Sequence, residues 1–158
     1  MKIILGVSST GKTTYINENH SNSKVVNLNA VRPWTLLSNK IIHINLFKLS
    51  EANTFTKYCI NKILRRAKRV KAEIFVIASP KLQLIERAKA RTFEDCEKSY
   101  GYYPSEYWCS QLENADLPYL YEDSLLLLDS YALSYQLLWN DSFIFTQVKR
   151  YSFGELFR

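Results

Sequence analysis

Residues 6–13 read Gly-Val-Ser-Ser-Thr-Gly-Lys-Thr, with a cation and a hydroxyl directly after the second glycine. Residue types at this spacing can hold a polyphosphate. The glycines let the backbone wrap so that successive N–H groups point inward at an anion, and a following helix presents its positive end to the same charge. A lysine at that place reaches β- and γ-phosphates, and the next hydroxyl can ligate Mg²⁺. The chain has only four glycines, and two of them, Gly6 and Gly11, stand where such a loop needs them. A random chain of this length would carry the pattern on the order of once in a few hundred cases.

The elements that must position this loop follow from hydrophobic periodicity. KIIL (2–5) is a short apolar run ending at Gly6 and reads as a buried strand, and Thr13 to Asn19 reads as a short helix. KVVNLN (24–29), KIIHINLF (40–47), EIFVIAS (73–79) and DSFIFTQV (141–148) read as further strands. From about 52 to 70, Phe55, Cys59, Ile63, Ala67 and Val70 recur at three- and four-residue spacing, one face of a helix. Residues 80–91 read as a helix with Pro80 in its first turn. Residues 122–139 read as a helix too, although LLLLDS (125–130) also fits a strand ending in Asp129. Residues 92–120, with Gly101, Pro104 and Pro118, fit nothing regular. Strands alternating with helices predict a single α/β domain over 1–158, a three-layer α/β/α sandwich around a five-stranded, mainly parallel sheet.

Composition narrows the partners. With 158 residues, 47% of them hydrophobic and 23% charged, the chain reads as an ordinary globular protein. No apolar run approaches the roughly 18 residues that span a bilayer, and the N-terminus lacks the apolar stretch of a signal peptide. Cys59, Cys96 and Cys109 lack metal-ligand spacing and read as thiols in a reducing compartment, so a cytoplasmic location is the expectation. A net charge of +6 favours anionic partners. Part of it is concentrated in RRAKRVK (65–71), which reads either as a solvated helix end or as a nucleic-acid footprint.

With a strand before it and a helix after it, GVSSTGKT resembles the phosphate-binding loop of the P-loop NTPase superfamily. The resemblance implies that Gly6, Ser9, Thr10, Gly11, Lys12, Thr13 and Thr14 hold the phosphates of ATP, with Thr13 on Mg²⁺. Signalling GTPases also carry Asp-x-x-Gly and Asn-Lys-x-Asp, and neither occurs here. Motor ATPases and helicases need a Walker B strand, for which Asp129 is the nearest candidate. What remains is the small P-loop kinases of nucleotides, nucleosides, sugar derivatives and polynucleotide 5′ ends. Their likeness implies that Arg32 and Trp34, after the second strand, face the phosphoryl acceptor. It also implies that Arg87 and Arg91, in the helix after FVIASP, act with Lys12 on the transferring group. The aromatic-rich segment 92–121 would be a lid or cap, and the loop Thr146 to Arg150 would receive the adenine.

The chain departs from that pattern. The second strand runs into Asn29-Ala30-Val31 without an acid, and the third offers His43 and Asn45 where an Asp is expected. Asn45 could orient a hydroxyl or a metal-bound water. His43, Glu51 and Asp95 stay open as the general base, because phosphoryl transfer depends chiefly on positioning and charge stabilisation. The expectation is therefore an ATP·Mg²⁺-dependent kinase of a small hydroxylated or phosphorylated acceptor. The alternatives are a non-transferring NTPase or nucleotide-binding module, or a polynucleotide 5′-kinase contacting nucleic acid through 65–71.

Overall fold

A computed structural model of the chain describes residues 1–28, 40–91 and 104–157. Six strands form one sheet: β1 Lys2–Gly6, β2 Val25–Asn27, β3 Ile41–Asn45, β4 Glu73–Ala78, β5 Gln136–Asp141 and β6 Ile144–Val148. Their order across the sheet is β2-β3-β1-β4-β5-β6. The first five are parallel, and β6 alone returns antiparallel to β5. Parallel neighbours require crossovers. These are supplied by α1 Lys12–Asn19, α2 Leu46–Ser50, α3 Thr54–Val70, α4 Lys81–Lys89, α5 Ser105–Asn114 and α6 Leu117–Ser130; α7 Arg150–Phe153 follows the last strand.

Alternate strand residues face opposite ways, and both faces are covered. Ile3, Leu5, Ile42, Ile44, Ile74, Val76 and Leu137 pack against α2 to α6 in the larger core. Ile4, Ile41, Phe75, Ile77 and Leu138 pack against Ile16 and Tyr15 of α1 in the smaller one. The crossover leaving β1 therefore lies on the opposite face from those leaving its neighbours β3 and β4. That arrangement opens a crevice at the carboxyl ends of the strands, where open α/β sheets bind ligands. Gly6 aligns with Asn45 there, and the segment joining β1 to α1 occupies that edge.

Five sequence expectations change. The sheet has six strands because 136–139, read as helix, is strand β5; the helix of 122–139 ends at Ser130 as part of α6. The run 141–148 is the tip and second arm of a hairpin. Ser142 and Phe143 both take positive φ, 50° and 65°, as a two-residue hairpin turn requires. Leu46 and Phe47, read as strand, begin α2, because the Asn45 side chain accepts from Phe47 N and caps a helix there.

The aromatic segment is regular from Ser105 onward. Pro104 immediately precedes α5, and Pro118 sits in the first turn of α6, positions where a missing N–H breaks no bond. The helical spacing of Leu117, Tyr121, Ser124, Leu125 and Leu128 buries one face of α6. Finally, the buried face of α3 is Ile60, Ile63, Leu64 and Ala67, while Phe55 is 71% exposed. Among the described residues no helix is long and apolar enough to cross a membrane.

Candidate functional site

The segment from Gly6 to Thr14 leaves β1, turns through the left-handed residues Ser9 (φ 65°) and Gly11 (φ 83°), and enters α1. No side chain caps α1, and no acid lies in its first turn. Its first N–H groups thus face the crevice with the helix's positive end and without a carboxylate of their own. Both glycines are required sterically. A Cβ on Gly6 would lie 2.6 Å from Ile77 O and 2.8 Å from Thr10 Oγ1. A Cβ on Gly11 would lie 2.5 Å from Asn140 Nδ2, on a backbone that L-residues already disfavour.

Lys12 is folded back into this turn. Its buried Nζ donates to Gly6 O at 2.9 Å, to Val7 O and to Thr10 Oγ1 at 3.3 Å. No ion pair neutralises it among the described residues. Burial, and secondarily the positive charge of Arg91, push its pKa down to about 7. An anion in the crevice would oppose both effects and favour the charged ammonium. Thr13 is exposed at the start of α1, and Thr14 is partly buried beside it.

The residues around the turn come from three distant elements. Asn140, fully buried at the end of β5, donates from Nδ2 to Thr10 O at 2.7 Å. Its Oδ1 has no hydrogen-bond partner among the described residues. Ser79, after β4, donates to the same carbonyl at 3.4 Å. Tyr121 reaches in from α6, accepting from Val7 N at 3.2 Å and donating to Ile77 O at 2.7 Å. Burial raises the Tyr121 pKa far above its ordinary value, so the phenol keeps its proton and this bridge.

Arg87 lies on the same side. One of its nitrogens donates to Ser9 O at 3.3 Å and Ser79 Oγ at 3.1 Å, the other to Gln83 Oε1 at 2.6 Å. Gln83 in turn accepts from Ser142 N at 3.0 Å and donates to the Asp141 carboxylate. The guanidinium also sits 4.4 Å from the centre of the Phe143 ring at the hairpin tip. Arg91 stands just beyond α4, close enough for its charge to act on Lys12. Lys12 and Arg87 are therefore both held on the turn formed by Gly6, Ser9, Thr10, Gly11, Thr13 and Thr14, and Arg91 is near enough for its charge to reach Lys12.

Other candidates fall elsewhere. Asn45 is at the carboxyl edge, but its side-chain oxygen caps α2. His43 pairs with Asn27 Oδ1 at 3.3 Å, and burial, with a further push from Lys12, lowers its pKa to about 2. A base so weak gains little from taking a hydroxyl proton near neutrality. Asp129 lies near the C-terminus of α6, at the opposite edge of the sheet. It accepts from Arg150 and from Tyr135 Oη, and the Arg150 hydrogen bond lowers its pKa. A Walker B strand ending there is thus overturned. The run 65–71 also lies at that far edge, because α3 descends 17 residues, about 25 Å, from the carboxyl ends. Glu51 ends α2. Thr146 to Arg150 spans the end of β6 and the start of α7 rather than a loop after β5. Arg32, Trp34 and Asp95 lie outside the described residues.

Sequence reading missed Asn140, Ser79, Tyr121 and Gln83. A polar Asn-Asp-Ser following the apolar run Leu137-Leu138-Trp139 was the available signal for Asn140. Nothing local marks the other three.

No protein-family model matches the chain, and no curated protein matches it. Two solved chains match its fold. One belongs to a crystal structure of AvrRxo1-ORF1:AvrRxo1-ORF2 with sulphate ions; it aligns over 99% of this chain with a TM-score of 0.50 and 11% identity. The present chain spans 63% of that chain's length, and at this identity the likeness is one of fold alone.

Proposed function

We propose that this α/β chain is a P-loop phosphotransferase that binds ATP on residues 6–14 and passes its γ-phosphoryl group to a small acceptor. The observation that carries the reading is Lys12: a buried ammonium on loop carbonyls, at the uncapped start of α1, in a turn that tolerates no side chain at either glycine. A β-phosphate suits the inward N–H groups and the helix end. Lys12 would turn from the Gly6 and Val7 carbonyls to the β- and γ-phosphates, regaining full charge as it does so. The same donor set fits Mg²⁺ only through Thr13, whose exposed hydroxyl is a hard oxygen ligand at the right place. The ion would supply charge neutralisation on the phosphates.

Arg87 and Arg91 suit stabilisation of the three γ-oxygens as charge spreads over them. Arg87 already holds Ser9 O, so the cation and the loop are positioned as one unit. A polynucleotide 5′-kinase working through 65–71 is less well supported. Its acceptor end would have to reach across the whole sheet from that far edge.

The test is ATP consumption with Mg²⁺, with and without a pool of nucleosides, nucleotides, sugars and 5′-hydroxyl oligonucleotides, with Lys12→Ala as the blank. Consumption dependent on an acceptor supports the kinase. Equal consumption without one refutes transfer and leaves an NTPase.

A further inference from the structure

The chain's net positive charge is concentrated on α3. Residues 52–72 hold seven of the 21 Lys and Arg residues and none of the 15 acids, so the remaining 14 cations and 15 acids all but cancel. We propose that the solvent face of α3 is a docking surface for single-stranded nucleic acid. The proposal is independent of the kinase reading, and it makes the strand a bound partner rather than the phosphoryl acceptor.

Three observations support it. The first is the layout of the helix. Its apolar residues Ile60, Ile63, Leu64 and Ala67 are buried in the core. Opposite them, Tyr58, Lys62, Arg65 and Arg69 follow one another at four-, three- and four-residue spacing, all exposed, in a stripe about 16 Å long. Phe55 is exposed one turn before Tyr58.

The second is the cost of these charges to the fold. Lys62 stands three and four residues from Arg65 and Arg66, and Arg65 stands three and four from Lys68 and Arg69. Like charges at these spacings weaken a helix, and among the described residues no carboxylate pairs with any of them. The negative end of the helix favours cations in its last turn, which accounts for Lys68 and Arg69. It does not account for Lys62 and Arg65, which come before that turn. A polyanion lying along the stripe would replace this repulsion with attraction.

The third is the company the cations keep. Lys62 Nζ lies 4.5 Å from the centre of the Tyr58 ring, so the stripe joins exposed rings at one end to cations at the other. A single strand offers the matching groups, bases that stack on rings and phosphates that pair with cations. The guanidinium forks of Arg65 and Arg69 suit phosphate oxygens. A duplex hides the faces of its bases. A bilayer needs a broad apolar face beside the cations, and α3 has its apolar face in the core.

The experiment is fluorescence anisotropy of the full chain with labelled mixed-sequence single strands of RNA and of DNA, and with the DNA duplex, from about 50 to 200 mM salt. Cosedimentation with phosphatidylserine vesicles runs beside it. The variants are Arg65→Gln with Arg69→Gln, Tyr58→Ala, and as control Lys24→Gln with Lys149→Gln, which removes the same charge from exposed sites on other parts of the chain. Single strands should bind more tightly than the duplex. The arginine pair should cost at least about tenfold in affinity and lower the slope of log K against log salt by about 1.4, the share of two phosphates on a single strand. Tyr58→Ala should cost at least about fivefold with the slope unchanged, and the control less than about threefold. No binding of either single strand at the lowest salt, a control loss as large as that of the arginine pair, or Tyr58→Ala without effect would overturn the proposal. So would preference for the duplex, and tighter binding to the vesicles than to either strand would assign the face to a membrane surface instead.

Discussion

Gly11→Ala is the most direct perturbation of the turn, and its size follows from two features of the structure. The residue sits at φ 83°, where an L-side chain costs about 1–2 kcal/mol. Its new methyl would start 2.5 Å from Asn140 Nδ2 and 3.5 Å from the Phe145 ring. Asn140 is fully buried in β5 and cannot swing outward, so the amide must give up its 2.7 Å bond to Thr10 O. Leaving that buried pair unmade adds about 1–3 kcal/mol. The expected loss of folding stability is therefore about 2–5 kcal/mol, read from urea denaturation, with weakened nucleotide binding alongside. Gly154→Ala is the matched control, because nothing lies within 4 Å of the added methyl; it should change stability by less than about 0.5 kcal/mol. Asn140→Ala makes room for the methyl, so Gly11→Ala combined with it should cost less than the sum of the singles by about 1 kcal/mol or more. Gly11→Ala as mild as the control, or full additivity in the double variant, would refute the packing argument.

Three other outcomes test the site. An unfolded lysine keeps its proton up to about 10.5, whereas folded Lys12 releases it near 7, so the folded chain binds fewer protons between those values and stability rises with pH across that window. Lys12→Met should remove roughly 4–5 kcal/mol of that rise, and equal pH slopes for variant and wild type in denaturation curves would disprove the burial effect. Arg87→Ala should lower kcat by on the order of 10²-fold, with a smaller change in ATP affinity and no rescue by Lys, whose single ammonium cannot reproduce the contacts to Ser9, Ser79 and Gln83. A loss confined to affinity would reduce Arg87 to a support of the loop. Asp129→Asn breaks an exposed contact to Arg150 and should cost under about 1 kcal/mol, leaving turnover intact. A collapse of turnover on that change would restore Asp129 as a metal ligand.

Local signals were enough for the turn and most of its frame. Gly6, Gly11 and Lys12 are specified by spacing, and KIIL, KIIHI and EIFVIA are short β-branched apolar runs of the kind that parallel strands buried on both faces carry. Reading failed where one local signal competed with another. Pro104 and Pro118 looked like breakers but occupy helix starts, and the leucine-rich run continues past Ser130 into a strand without a change in composition.

The sequence by itself determined the glycine-bounded turn of residues 6–12 and the alternation of strands and helices, because both depend on residues within one or two turns of chain. Only the tertiary structure decided what surrounds that turn. Asn140, Ser79 and Tyr121 are 130, 69 and 114 positions from the groups they hold. It also decided that Arg87 is held on the turn that carries Lys12, through Ser9 O, while Asp129 and the basic run 65–71 lie a sheet's height away. The physical reason is that crossover direction and strand order, set by packing both faces of the sheet at once, choose which strand ends meet, and no short stretch of sequence contains that choice.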